Sequence, residues 1–436
     1  MKKIKFLFVS ADNLIGNIAW QVHREGQLVK YCNDHKGEQD ALDGFLPKVR
    51  NWKKYINWAD VIVFDEVFGY GKIAEKLRAQ GKSVLGGTAY TDKLEEDRAF
   101  GQQELKKAGV PILPYLEFNS CRAADAYLKK HPGQYVIKVS GEMQNDKNLV
   151  YVGQLGDGSD VRQMLGLYQK KYGKKVTSLI LQKKVNGVEI AIGAFFNGHN
   201  FIYPINFNFE HKKLFPGDLG PNTGEIGTHM FWSWPTAIFD RTLKKMESRL
   251  RAVNYRGCID LACIVDRHGI YPLEFTARFG FPTVNIQYEG LDMPVSQFLH
   301  KLALGEDFRI KTKPGFQVGL RVLVPPNPYR NQEIFNAYSK GVRVMFRDPG
   351  KMSGVHLEDV KRVKGQWIIT GSCGNVLVIV GTGKTMPAAQ KQLYQRVKNI
   401  IIPNMYYRND VGDRWYREEA KLRKWGYLEK MPSNYR

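Results

Sequence analysis

The run "YPLEFTARFGFP" sets Glu274 and Thr276 two residues apart, so in extended chain both side chains leave one face. Asp260 lies in the preceding run "CIDLACIV" and, across the turn "DRHG", can reach the same face. Two carboxylates and a hydroxyl form a hard, oxygen-rich set that suits Mg²⁺ carrying nucleotide phosphates. A carboxylate at a strand end turned to water leaves the same signature, and spacing alone favours it.

Lys138 stands in "VIKVSGE", a single cation in an apolar, β-branched run followed by Gly141. Such a lysine is seldom buried without an anion beside it. Lys147 follows in "QNDKNL", a polar loop whose backbone N–H groups can fold over a phosphate. A hairpin turn with a solvated lysine reads the same way. Glu189, after the Asn-Gly turn of "KKVNGVEIAIG", can hydrogen-bond ribose hydroxyls or face water as an ordinary strand residue. The segment "FPGDLGPNTGEIGTHM", from 215 to 230, is too dense in glycine and proline for a helix or regular strand, yet rich in side-chain donors.

The elements that must position these groups give an α/β pattern. Residues 1 to 90 alternate short β-branched runs with amphipathic stretches, as a parallel sheet with covering helices requires. A charged helix follows and ends at Gly109 and Pro111. From 134 to 290 strands are broken by glycine turns, the pattern of antiparallel hairpins, and 315 to 405 is again mixed. A basic amphipathic helix closes the chain, with Trp415, Tyr416, Trp425 and Tyr427 for docking.

Sixty-five Lys and Arg against 43 Asp and Glu give a formal charge of +22 over 436 residues. That excess favours a nucleotide, a phosphorylated metabolite or a polynucleotide as partner. Any single basic cluster, such as "HKK" at 211 to 213, reads best as a solvated face. Apolar runs such as "VLVIV" fall far short of membrane-spanning length, and the opening "MKKIKFLFVSADN" is too short for a signal-peptide core. A soluble cytoplasmic protein without a membrane partner is expected. Five scattered cysteines without metal-type spacing imply reduced thiols, and nine histidines form no metal-binding motif.

In order along the chain, "DRAFGQQELKKAGVP", "YVIKVSGE", "GDLGPNTGEIGTHM", "YRGCIDLACIVDRHGIYPLEFTARFGFP", "ITGSCGNVLVIVGTG" and "YYRNDVG" resemble the ATP-grasp ligases. Within that superfamily they are similar to the phosphoribosylamine-glycine ligase (glycinamide ribonucleotide synthetase) family of purine biosynthesis. The resemblance implies a Rossmann-like domain over 1–90, an ATP-grasp domain over 91–312 with a lid at about 114–185, a mixed α/β domain over 313–412 and a basic tail helix over 413–436. It implies a carboxylate that attacks the γ-phosphate of ATP to give an acyl phosphate, which an amine captures as an amide. ATP and Mg²⁺, with Mn²⁺ as an alternative ion, are the implied cofactors, and an amino acid and an amine the substrates of a monomer or homodimer. On this reading Arg98, Lys138 and Lys147 hold phosphates, Glu189 the ribose, and Glu274, Thr276 and Asp260 the metal. Arg278 faces the reacting carboxylate, Asp218, Asn222 and Thr223 contact substrates, and Gly220 and Gly224 supply unusual dihedrals near them.

The departures from the family pattern gather on the substrate side. Thr276 replaces an Asn, Phe281 and Thr283 replace an acidic pair, and Gln182 and Lys183 replace another at the adenine hinge. The loop that helps hold the phosphoribosyl group is "SADNLIGNIAW", and the phosphate-covering loop "GEMQNDKNL" is poor in glycine. Three functions follow: the family's ligase reaction, the same chemistry joining an amino acid to an amine on a modified nucleotide or polynucleotide, and a non-catalytic nucleotide-binding protein.

Overall fold

The computed structural model describes residues 2–11, 13–34, 39–139 and 149–428, so Lys147 and its loop lie outside the described residues. The chain opens with a parallel sheet of β1 (Lys5–Ser10), β2 (Leu28–Asn33), β3 (Val61–Phe64) and β4 (Val84–Leu85), in the order β2-β1-β3-β4. Its strands read as continuous apolar runs because helices such as Gly16–Arg24 and Tyr70–Ala79 cover both faces. Strand order reverses between β1 and β3, the place where open parallel sheets bind ligands. Ser10 ends β1 there, and Asp65 and Glu66 follow β3.

A second, antiparallel sheet holds β5 (Tyr115–Phe118), β6 (Tyr135–Val139), β7 (Tyr151–Val152) and β8 (Leu179–Lys183), ordered β5-β8-β6-β7. Helices Cys121–Lys130 and Ser159–Tyr172 back it, and Leu128, Ile137, Leu165 and Leu181 give it a core of its own.

The largest sheet is built on β9 (Val188–Asn197), β10 (Phe201–Phe215), β11 (Leu219–Ser233), β12 (Arg256–Val265), β13 (Ile270–Thr276) and β14 (Phe316–Leu323). The remaining strands are β15 (Arg343–Phe346), β16 (Val355–Leu357), β17 (Val360–Val363), β18 (Gln366–Ile369), β19 (Asn375–Gly383) and β20 (Ile400–Ile401). Eight strands run in the antiparallel order β13-β12-β9-β10-β11-β14-β19-β16, while β17-β18-β15-β20 form a small separate sheet. β14 pairs with β11 from Gly227↔Leu320 to Phe231↔Phe316, so one continuous sheet runs across residue 313.

The glycine-rich segment 215–230 is not the irregular coil its composition suggests. Most of it is β11, which returns along β10 as the tip of a long hairpin. Register shifts between His211 and Phe215 let the strands twist around the glycines, and a β-bulge tolerates residues that a flat ladder excludes. The closing helix, Trp415–Lys424, docks on this sheet. Trp415 is 2% exposed and meets Phe209, Phe231 and Phe316 with ring centroids 5.2, 5.3 and 5.3 Å away. Tyr427 is also buried, but Tyr416, expected to dock, is 53% exposed because it lies on the opposite face of the helix. The cysteines are free thiols, all buried except half-buried Cys373. Among the described residues no helix is long and apolar enough to cross a membrane.

Candidate active site

Strand β10 reads "NFNFEHK" from 206 to 212, and its two-residue period sends Asn206, Asn208, Glu210 and Lys212 to one face. Phe207, Phe209 and His211 fill the other. The polar face borders a cavity of about 380 Å³ between the second and the largest sheet. Leu113, Val136, Val152, Val185, Ile264 and Leu273 give it an apolar wall that suits a planar ring. Gln182, Lys183 and Lys184 lie at the crossing from β8 to β9 and also line it.

The charged wall comes from separate segments. Arg98 opens the helix Arg98–Lys107, which begins where the Asp97 side chain accepts a hydrogen bond from Phe100 N at 3.0 Å. Its Nη2 donates to Glu274 Oε2 at 2.6 Å, and its Nε to the same oxygen at 3.2 Å. Lys138, on β6, donates to Gln182 Oε1 at 3.0 Å. Burial first, and Arg98 second, bring its ammonium down to about 8. Lys212 lies 2.5 Å from Glu189 and 3.7 Å from Glu210. Burial disfavours its charge, but Glu189, Glu210 and Glu274 together raise its pKa above the usual range, and Lys212 lowers that of Glu189 against burial. Glu210 is pushed up by burial, opposed by Lys212.

The hairpin tip closes one side. Asn222, Thr223, Gly224 and Asp218 line the cavity, and Thr223 Oγ1 donates to Lys212 O at 2.9 Å. Asp218 has φ 56° and Gly220 φ 81°, both in the left-handed region. A Cβ on Gly220 would lie 2.4 Å from the Phe215 ring. Gly220 is not part of the lining, and Gly224 departs from expectation because its φ is not left-handed and a Cβ there meets nothing within 4 Å. Arg408, whose side chain is 1% exposed, fixes the tip: it donates to Asp218 Oδ1 at 2.9 Å, Lys213 O at 2.7 Å and Asp410 Oδ1 at 2.8 Å. Hydrogen bonds from His211 and Arg408 hold the Asp218 carboxyl well below the usual carboxylate range.

Arg98, Lys138, Glu189, Glu274, Asp218, Asn222 and Thr223 thus meet around one volume, and Arg278, Thr276 and Asp260 do not line it. Arg278 faces the first sheet, 3.2 Å from Glu95 and 3.4 Å from Glu66. Asp260, opposite Thr276 in the β12–β13 ladder, accepts from Asn208 at 3.3 Å and is pushed up to about 7, by burial first and then by Glu210. Of the metal set expected from the sequence only Glu274 lines the cavity, and among the described residues no three His, Cys, Asp or Glu are grouped to hold an ion. Thr276 and Asp260 share a sheet face with Glu274 but stand two cross-strand pairs further along the ladder, outside the cavity lining. The Glu274 side chain is 33% exposed and already meets a cation, the guanidinium of Arg98, so its carboxylate is placed and charged as a ligand for a cation must be.

Lys212, Glu210 and Arg414 were not legible as site residues. Lys212 sits in a "KK" pair that looks solvated, and Glu210 in a phenylalanine-rich strand. Arg414 arrives from the tail, donating to Glu210 O. The period-two alternation of β10 is the signal that marks the first two.

Residues 96–284 match the family model "Phosphoribosylglycinamide synthetase, ATP-grasp (A) domain". The chain is 25% identical over 371 residues to the phosphoribosylamine-glycine ligase of Streptococcus pyogenes serotype M1, covering 83% of this chain and 85% of that protein. The crystal structure of phosphoribosylamine-glycine ligase from Thermotoga maritima superposes with a TM-score of 0.70 at 21% identity, over 93% of this chain and all of that one. The biotin carboxylase domain of Hydrogenobacter thermophilus 2-oxoglutarate carboxylase, solved with MgADP and bicarbonate, superposes at 0.60 with 12% identity, over 93% and 92% of the two chains. The chain is an ATP-grasp ligase, and it resembles phosphoribosylamine-glycine ligase over most of its length.

Proposed function

We propose that the protein is an ATP-dependent carboxylate-amine ligase acting through an acyl phosphate. The observation that carries this is the meeting of Arg98, Lys138, Glu189, Glu274 and the tip residues Asp218, Asn222 and Thr223 around one cavity with an apolar wall. The base of ATP fits the wall of Leu113, Val136 and Ile264, with Glu189 placed for the ribose. Lys138, Arg98 and Lys147 neutralise the phosphates. Glu274, with Glu210 in the same charge field, would hold Mg²⁺, which would supply charge neutralisation at the phosphates. The substrate carboxylate attacks the γ-phosphorus and the bond to the β-phosphate oxygen breaks, leaving ADP. The amine nitrogen then attacks the acyl carbon, the bond to phosphate breaks, and inorganic phosphate leaves with the amide formed. The protein's share is positioning and charge neutralisation, with the tip excluding water over the reacting groups. The test is ADP release with a panel of amino acids and amines. Release that needs both partners is expected; hydrolysis indifferent to either overturns the reading.

One observation favours an acceptor other than phosphoribosylamine. At the switch point of the first sheet, Ser10 Oγ donates to Asp65, which with Glu66 brings two buried carboxyl groups beside the loop to which the resemblance gives the phosphoribosyl group. Burial and the neighbouring Glu66 push Asp65 up to about 7. Buried carboxyl groups are poor phosphate ligands, so the second reading keeps the chemistry and gives it an amine on a modified nucleotide or polynucleotide, whose phosphates lie elsewhere.

A further inference from the structure

Away from the nucleotide cavity, a groove of about 540 Å³ lies between the helix Gly16–Arg24 and the small sheet of β15 and β18. The two volumes share no lining residue. Arg24, Arg343 and Arg362 border the groove with Trp20, Trp367 and Phe346, and no Asp or Glu lines it. All three arginines are exposed, and among the described residues none of them makes an ion pair. Arg362 stands opposite Trp367 in the β17–β18 ladder, with its guanidinium 5.1 Å from the indole centroid. Arg24 lies 5.0 Å from the Trp20 ring in the same way, one helical turn on. The two indoles are themselves in edge contact at 5.9 Å.

A guanidinium stacked on an indole keeps its planar fork in one orientation, so its N–H edges are presented with little further loss of rotamer freedom. Two such groups, with Arg343 beside them and no acidic residue in the lining, raise a positive potential in a concave, partly apolar volume, which concentrates anions there. Indole and phenyl surfaces beside them offer faces and edges to a planar base. A single phosphate monoester carries about −1.5 to −2 at neutral pH, short of balancing three arginines. Successive phosphodiesters bring one charge each at spacings that a groove can follow, and the chain's charge of +22 adds to their attraction.

We propose that this groove binds single-stranded nucleic acid, with bases against Trp20, Trp367 and Phe346 and consecutive phosphates on Arg24, Arg343 and Arg362. The site is distinct from the ligase cavity and does not depend on which amine that cavity uses. It would hold a strand in place while the catalytic cavity works, or anchor the protein to one.

The test is fluorescence anisotropy of a labelled oligothymidylate with the full chain, titrated at several salt concentrations with the ligase cavity saturated by a non-hydrolysable ATP analogue. Binding is expected to survive the analogue, with log K falling against log salt at a slope of about −2, as three phosphate contacts on a single strand require. The double variant Arg343→Ala/Arg362→Ala changes two exposed side chains; it should keep its circular dichroism and its affinity for the ATP analogue. It should lose at least about tenfold in oligonucleotide affinity and flatten the slope to about −0.7. Trp367→Leu serves as the stacking arm and should weaken binding with the slope retained. The proposal is overturned by absence of binding at low salt, by displacement of the strand by the ATP analogue, by an unchanged slope in the double variant, or by AMP competing as well as the strand.

Discussion

Arg98 and Glu274 lie 176 positions apart in sequence, yet Arg98 Nη2 and Glu274 Oε2 are 2.6 Å apart at the edge of the cavity. The carboxylate proposed to grip Mg²⁺ is therefore held by an arginine before any ligand arrives, and metal binding must release that arginine toward the phosphates. Replacing Arg98 by Met removes the competing cation. Mn²⁺ affinity of the nucleotide-free protein, followed by electron paramagnetic resonance, should rise several-fold, while affinity for ATP falls by about tenfold for the lost phosphate contact. Equal losses in both would show that Arg98 and the metal do not share Glu274.

Lys138 gives a pH dependence with a defined sign. Its ammonium is brought down to about 8 by burial and by Arg98, so above that pH the free protein presents a neutral amine to the phosphates. ATP affinity should weaken as pH rises from 7.5 to 9.5, and binding should take up a proton in that window, because bound phosphate restores the charged form. Isothermal titration calorimetry in two buffers of different ionisation enthalpy measures the uptake. A Lys138→Met variant should bind ATP weakly at every pH and show no proton uptake.

The hairpin tip separates two glycines that the sequence treats alike. Gly220→Ala forces a left-handed residue and drives a Cβ into the Phe215 ring, so a loss of about 1–2 kcal/mol is expected with reduced turnover. Gly224→Ala has ordinary dihedrals and open space, and should fold as well as the parent. Chemical denaturation of the two variants decides it.

Lys212 balances Glu189 and Glu210 across two strands. Lys212→Met leaves two carboxylates facing one another. The side chains are about one-third exposed, so solvent limits the loss to about 1–2 kcal/mol, and acidification should recover part of it as Glu210, already pushed up, protonates first. Denaturation midpoints at pH 5 and pH 7.5 test this: a variant that gains no relative stability at pH 5 contradicts the assignment.

The fold was largely legible because local signals agreed: β-branched runs with covering helices for the first sheet, and glycine turns for the hairpins. What escaped was set by long-range pairing. The segment around Asn222 is a strand only because β10 offers it a partner, and composition carries no record of that partner. Lys212 looks solvated until Glu189, 23 residues earlier, is placed beside it. Asp260 and Glu274 share a ladder, but the pairing of Asp260 with Thr276 and of Ala262 with Glu274 decides which of them reaches the cavity, and a register cannot be counted from spacing within one strand.

Glu274 is proposed to carry the metal that lets ATP activate a carboxylate. The most direct measurement is hydroxamate formation from ATP, an amino acid panel and hydroxylamine, in the parent chain and in Glu274→Gln. The parent should yield hydroxamate with at least one acid and release ADP in equal amount; the variant should remain folded, bind metal-free ATP about as well, and turn over at least about a hundredfold more slowly. Undiminished hydroxamate in the variant, or none in the parent with any acid, would contradict the account.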